Sequence, residues 1–99
     1  MPGSAHDTIV IGASDGGLAA LIKLLGGLPG EFNASVLIVL HTSPESPRLL
    51  ADILGRSTKL KVAYGQHGQS VEPGHVYIAP PGHHMTVLRP GSLRLDQAG

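Results

Sequence analysis

The sequence predicts an α/β fold: a parallel, doubly wound (Rossmann-like) sheet with flanking helices and an appended antiparallel β-hairpin. Three observations predict it. Two short runs, Ile9–Ile11 and Val36–Leu40, are apolar without interruption, as strands covered on both faces are. Apolar residues recur at helical spacing after each of them. Beyond residue 65 the apolar runs shorten and Gly and Pro punctuate them, as in hairpins. The length of 99 residues leaves room for one domain at most.

Each element has its own signal. Thr8-Ile9-Val10-Ile11 is a β-branched run closed by Gly12, and Gly12-Ala13-Ser14-Asp15-Gly16-Gly17 follows as a tight turn. Leu18, Leu21, Ile22 and Leu25 then make one apolar helix face, with Lys23 left for solvent. Gly26-Gly27 and Pro29-Gly30 end that helix. Ser35–Leu40 is the second strand and stops at His41. Ser46-Pro47 is a good N-cap and first helical position for a short helix carrying Leu49, Leu50, Ile53 and Leu54, stopped by Gly55. Leu60–Tyr64 is the third strand, with Lys59 and Lys61 marking the solvent side of a sheet edge. Val76–Ala79, Met85–Leu88 and Leu93–Leu95, separated by turn signals, predict an antiparallel hairpin or small meander.

This set of elements is incomplete as a closed unit. A strand as apolar as Ile9–Ile11 calls for a neighbour on each side and cover on each face. Three parallel strands and a hairpin do not supply them. The expectation is part of a larger α/β domain, or a sheet completed by another chain.

Composition excludes several classes. Seven Lys+Arg balance seven Asp+Glu, so no basic footprint for a nucleic-acid backbone exists. Charged residues are 14% and hydrophobic residues 41%, which is not the make-up of a disordered tail. With no Cys there is neither a disulfide framework nor a thiolate metal site. No run is long enough to span a bilayer, and a soluble cytoplasmic domain is expected.

One motif carries chemistry. Gly12-Ala13-Ser14-Asp15-Gly16 matches G-x-S-x-G between a predicted strand and a predicted helix, the context of a nucleophile elbow. A serine there lies outside the carboxyl end of the sheet. The N–H groups of the following helix favour negative charge developing beside it. The other reading of Ser14 is a plain cap or turn residue. The dinucleotide fingerprint fails, because Ser14 stands where the second glycine belongs, and no phosphate-loop Gly-Lys-Ser/Thr occurs. His41 follows the second strand. If the two strands are parallel neighbours, His41 reaches Ser14 and can serve as its base. A solvated loop histidine is its alternative. Asp15 is read as a helix cap rather than a group orienting His41. His67, His75, His83 and His84 fit no metal-ligand spacing and are read as loop histidines, so neither metal nor organic cofactor is expected.

Taken together, these residues resemble the catalytic domain of CheB-type protein-glutamate methylesterases. Ile11-Gly12-Ala13-Ser14 with Gly16-Gly17 resembles the family's nucleophile loop. The apolar strand ending in His41, with Pro44 soon after, resembles its histidine loop. Glu72–Pro80, then Gly82 and His84-Met85, resembles the segment leading into its hairpin. The likeness runs through residues 8 to 96 in order, with residues 1–7 as a tail and residues 8–99 as the amino-terminal half of the domain.

The resemblance implies hydrolysis of glutamyl γ-methyl esters on chemoreceptor helices in chemotaxis, and glutamine deamidation in some members. Ser14 matches the nucleophile and His41 the base, with Gly12, Asp15, Gly16 and Gly17 supporting the turn and oxyanion. The family's triad carboxylate belongs to the second half of the domain, and Asp96 is not its match. Asp15 stands where the family usually has Thr, and Thr42 where it usually has Met. Control by phosphorylation calls for a receiver domain on another chain. These departures lead to an expectation of little activity from the 99 residues alone. A non-catalytic module docking on a receptor or signalling partner is the second hypothesis. Half of a nucleotide-binding domain is a third. Self-association through an exposed sheet edge is a further expectation, with no nucleic acid and no membrane insertion.

Overall fold

The computed structural model describes residues 7–14, 17–41, 50–80, 83–88 and 91–97. The elements in chain order are β1 (Asp7–Ser14), α1 (Leu18–Gly26), β2 (Ala34–His41), α2 (Leu50–Gly55), β3 (Lys61–Tyr64), β4 (His75–Ile78), β5 (His83–Leu88) and β6 (Ser92–Gln97). The Ser46-Pro47 cap expected for α2 lies outside the described residues.

β1, β2, β4 and β3 form one parallel sheet in that order, and β5 and β6 form a separate antiparallel pair. This is the expected α/β sheet with an appended hairpin, with one correction. Val76–Ala79 was expected within the antiparallel hairpin or meander. In the structure β4 is instead a parallel strand, inserted between β2 and β3. The physical reason is burial. Val76, Tyr77 and Ile78 are all buried with no polar alternation, the pattern of a strand covered on both faces. In β5 and β6, by contrast, His84, Thr86, Arg94 and Asp96 are exposed between apolar neighbours.

Alternation along the central strands divides the core in two. Val36, Ile38, Val76 and Ile78 face Leu21 and Leu25 of α1, Leu54 of α2 and Leu60. Leu37 and Tyr77 face Val71, Met85 and Leu93. One face of the sheet is therefore covered by helices. The other is covered by the hairpin and by the connection from β3 to β4.

That connection holds the hairpin in place. Gly68 N–H donates to the Leu93 carbonyl, Leu93 N–H to Gln69 and Val71 N–H to Gly91, at 2.7–2.8 Å. The Tyr77 hydroxyl accepts from Glu72 N–H at 2.9 Å and donates to the Ser70 carbonyl at 3.3 Å. Gly65 is packed so tightly that an added Cβ would lie 2.7 Å from Met85 Sδ and 2.9 Å from Leu93 Cδ1. Gly74 turns the chain into β4 with φ +76°, a conformation costly to any residue with a Cβ.

β3 is an edge strand with Lys61 exposed, as expected, and Lys59 is exposed just before it. β1 is the opposite edge.

Candidate active site

The site is built by strand register. β1 and β2 pair along their whole length, from Asp7 opposite Ala34 to Ser14 opposite His41. Three features fix that register. Ile11 packs toward the helix-side core beside its partner Ile38. The Thr8 hydroxyl lies 3.2 Å from that of its partner Ser35, a fully buried serine, so the hydrogen bond is held at this register. Val36 and Ile38 face the helix-side core and Leu37 the hairpin-side core, so a slip of one residue in β2 would send each to the layer packed for the other.

The consequence is local. Ser14 and His41 are the last residues of adjacent parallel strands and are directly opposite each other in the pairing. Neighbouring strands run about 4.8 Å apart. The structure thus brings the two sequence-predicted residues to one carboxyl-end rim, where open α/β sheets characteristically bind ligands.

α1 begins at Leu18, four residues beyond Ser14. Its N-cap is Gly17, with no side-chain hydrogen bond and no acidic residue in the first turn. The first-turn N–H groups are thus uncapped by the helix's own side chains, which suits developing negative charge near the rim. Asp15, expected to cap the helix, and Gly16 lie outside the described residues. One correction concerns Gly12, which was expected to open the turn. It lies inside β1, paired with Val39, and an added Cβ there would meet nothing within 4 Å.

The remaining candidates are dispersed. Asp96 is on the separate β5–β6 sheet and pairs with Arg94 at 3.2 Å. His67 Nδ1 accepts from Leu95 N–H at 3.0 Å, so it holds β6 to the β3–β4 connection. That role was not legible in the sequence, since it depends on a loop pairing with a strand 28 residues away. His75 stacks on Tyr77 with ring centroids 6.0 Å apart, and its Nε2 lies 3.6 Å from Glu72. His83 and His84 lie on β5. Among the described residues, no three His, Asp or Glu side chains are placed to hold a metal ion. Burial raises the Tyr77 hydroxyl above its ordinary pKa, the largest of the influences on it. No helix among the described residues is long and apolar enough to cross a membrane.

Fold and rim together define a class: an α/β domain with Ser14 and His41 abreast at the carboxyl end of a parallel sheet. Residues 9–99 match the family model described as CheB methylesterase, and the chain belongs to that family. It is 43% identical over 84 residues to protein-glutamate methylesterase/protein-glutamine glutaminase 1 of Myxococcus xanthus, covering 85% of this chain and 24% of that protein. It is 42% identical over 86 residues to protein-glutamate methylesterase/protein-glutamine glutaminase 2 of Methanosarcina mazei, covering 87% and 23%. The crystal structure of the Thermotoga maritima CheB methylesterase catalytic domain superimposes with a TM-score of 0.85 at 32% identity, covering 96% of this chain and 52% of that one. The chain thus spans about a quarter of the curated relatives it matches and about half of the solved domain.

Proposed function

We propose that residues 8–99 are the amino-terminal half of a protein-glutamate methylesterase domain and carry the nucleophile and base of a serine-hydrolase mechanism. The observation that supports this reading is the pairing of Ser14 with His41 at adjacent strand ends. Ser14 Oγ attacks the γ-ester carbonyl of a methylated glutamate while His41 takes the hydroxyl proton. The tetrahedral intermediate collapses, His41 returns the proton to the leaving methoxide, and methanol departs. Water, deprotonated by His41, then hydrolyses the acyl-Ser14 ester and frees the glutamate carboxylate. With glutamine as substrate the same steps release ammonia. The N–H groups at the start of α1 contribute to oxyanion stabilisation. The partner is the cytoplasmic helical region of a methylated chemoreceptor, and a receiver domain supplies phosphorylation control.

Turnover by these 99 residues alone is low on this reading, because the resemblance assigns the triad carboxylate to the domain's second half. Without that carboxylate the loss is about four powers of ten, and a missing oxyanion donor removes roughly two or three more.

The test is labelling by a serine-directed fluorophosphonate, with methanol release from methylated receptor measured in parallel. Slow labelling at Ser14 is expected, abolished by Ser14→Ala and slowed by His41→Gln. Labelling at another residue, or indifference to His41→Gln, refutes the assignment. Rapid Ser14-dependent methanol release refutes the impairment.

A further inference from the structure

We propose that His67 is a pH-sensitive clasp: its neutral ring holds β6 to the β3–β4 connection, and protonation of the ring releases that hold. The inference rests on the backbone geometry of the hairpin and is independent of the hydrolase reading.

The clasp is the last rung of a short ladder. Alternate residues along β6 turn their N–H and C=O groups away from β5 and toward the connection. Gly91, just before β6, accepts from Val71 N–H at 2.7 Å. Leu93 donates to the Gln69 carbonyl and accepts from Gly68 N–H, both at 2.8 Å. Two residues further on, Leu95 presents the next outward N–H. Opposite it the connection is turning. Residues 66–69 form a β-turn closed by Gln69 N–H on the Gln66 carbonyl at 3.0 Å, with Gly68 third in the turn at φ +82°. His67 stands at the corner of that turn. Its Nδ1 accepts from Leu95 N–H at 3.0 Å, in place of the backbone carbonyl that serves the rungs below.

That atom differs chemically from the other acceptors. A peptide carbonyl accepts at every pH. A ring nitrogen accepts only while it carries no hydrogen, so this bond requires a neutral ring with its hydrogen on Nε2. The second proton goes onto Nδ1 itself. It turns the acceptor into a donor facing another donor, and the bond breaks. His67 is exposed, so water delivers the proton directly. Imidazoles as a class gain that proton at about pH 6–7. Acid therefore opens the Leu95 rung and leaves the Gly91 and Leu93 rungs closed. The part set free is the outgoing end of β6, residues 95–97, while buried Leu93 stays anchored in the core.

The charged and titratable groups around the ring lie on three elements. On β6, Arg94 and Asp96 flank Leu95 and pair with each other at 3.2 Å. On β5, His83 and His84 stand opposite Gln97 and Asp96. On the connection, Glu72 lies 3.6 Å from His75. The carboxylate beside Leu95 is thus already engaged by a guanidinium.

The test is amide hydrogen exchange on the full chain between about pH 7.5 and 5.5, spanning the imidazole range, corrected for the intrinsic pH dependence of exchange. Leu93 is the internal reference, on the same strand but with a carbonyl acceptor. Protection of Leu95 relative to Leu93 is expected to fall about fivefold or more on acidification, the worth of one hydrogen bond. His67→Ala, at an exposed position, should leave Leu95 weakly protected at both pH values and abolish the acid-dependent fall. Nitrogen-15 shifts of the ring should show the hydrogen on Nε2 at neutral pH. A Leu95 to Leu93 ratio that does not change with pH overturns the proposal. So does an acid-dependent fall that persists in His67→Ala, or a neutral ring carrying its hydrogen on Nδ1.

Discussion

β1 and β2 are paired over eight residues each and have similar apolar sequences, yet they occupy opposite environments. In β2, Val36, Leu37 and Ile38 are almost wholly inaccessible. In β1, Ile9 and Val10 are exposed. The difference does not come from the residues. β2 has β1 on one side and β4 on the other, with helices above and the hairpin below. Among the described residues β1 has one strand neighbour. An apolar run therefore states what a strand requires, and only the topology decides whether the requirement is met.

Four substitutions, measured by denaturant unfolding at low protein concentration, break or sharpen this contrast. The largest effect is expected at Ile38→Ala in β2, about 2–5 kcal/mol of destabilisation from lost burial and the residual cavity. A loss below about 1 kcal/mol would mean that β2 is not the centre of the core. Next is Gly65→Ala, which drives a methyl against Met85 and Leu93 and should cost about 1–3 kcal/mol. Its signature is weakened amide protection in β5 and β6, the cover of β2's second face. If protection there stays intact, the close approach is not a constraint.

Tyr77→Phe removes the two hydrogen bonds that tie residues 70 and 72 to β4 and should cost about 1 kcal/mol. It also carries a pH signature. The folded state holds the Tyr77 proton more tightly than the unfolded chain does. That stability is fully present below the ordinary tyrosine pKa and is lost as pH rises through the elevated one. The wild type should therefore lose stability above about pH 10 more steeply than Tyr77→Phe. Parallel alkaline curves for the two proteins would remove this role. The smallest effect is expected at Val10→Thr in β1, within about 0.5 kcal/mol. A loss approaching that of Ile38→Ala would erase the contrast between the two strands.

The same contrast explains what the sequence could reveal. β2 and the helix α1 were legible because a strand buried on both faces leaves an unbroken apolar run and a one-sided helix leaves a periodic one. Ser14 and His41 were legible as a pair because each closes an apolar run, and neighbouring parallel strands end at a common rim. β4 was misplaced because its four apolar residues sit among Gly and Pro, whose turn signals outweighed the missing polar alternation. The role of His67 was hidden, since no local pattern shows that a loop will pair with β6.

Every β1–β2 pair has the same separation of 27 residues, so Ser14 is matched to His41 by the same rule that matches Ile11 to Ile38. The core thus acts as a ruler, and the intervening helix only carries chain from one mark to the next. Lengthening the stretch between Gly27 and Asn33 would change the numbering while leaving serine and histidine abreast. Deleting one residue between Val36 and Leu40 would do the reverse: the chain would keep its composition almost unchanged, and Ser14 and His41 would fall out of step.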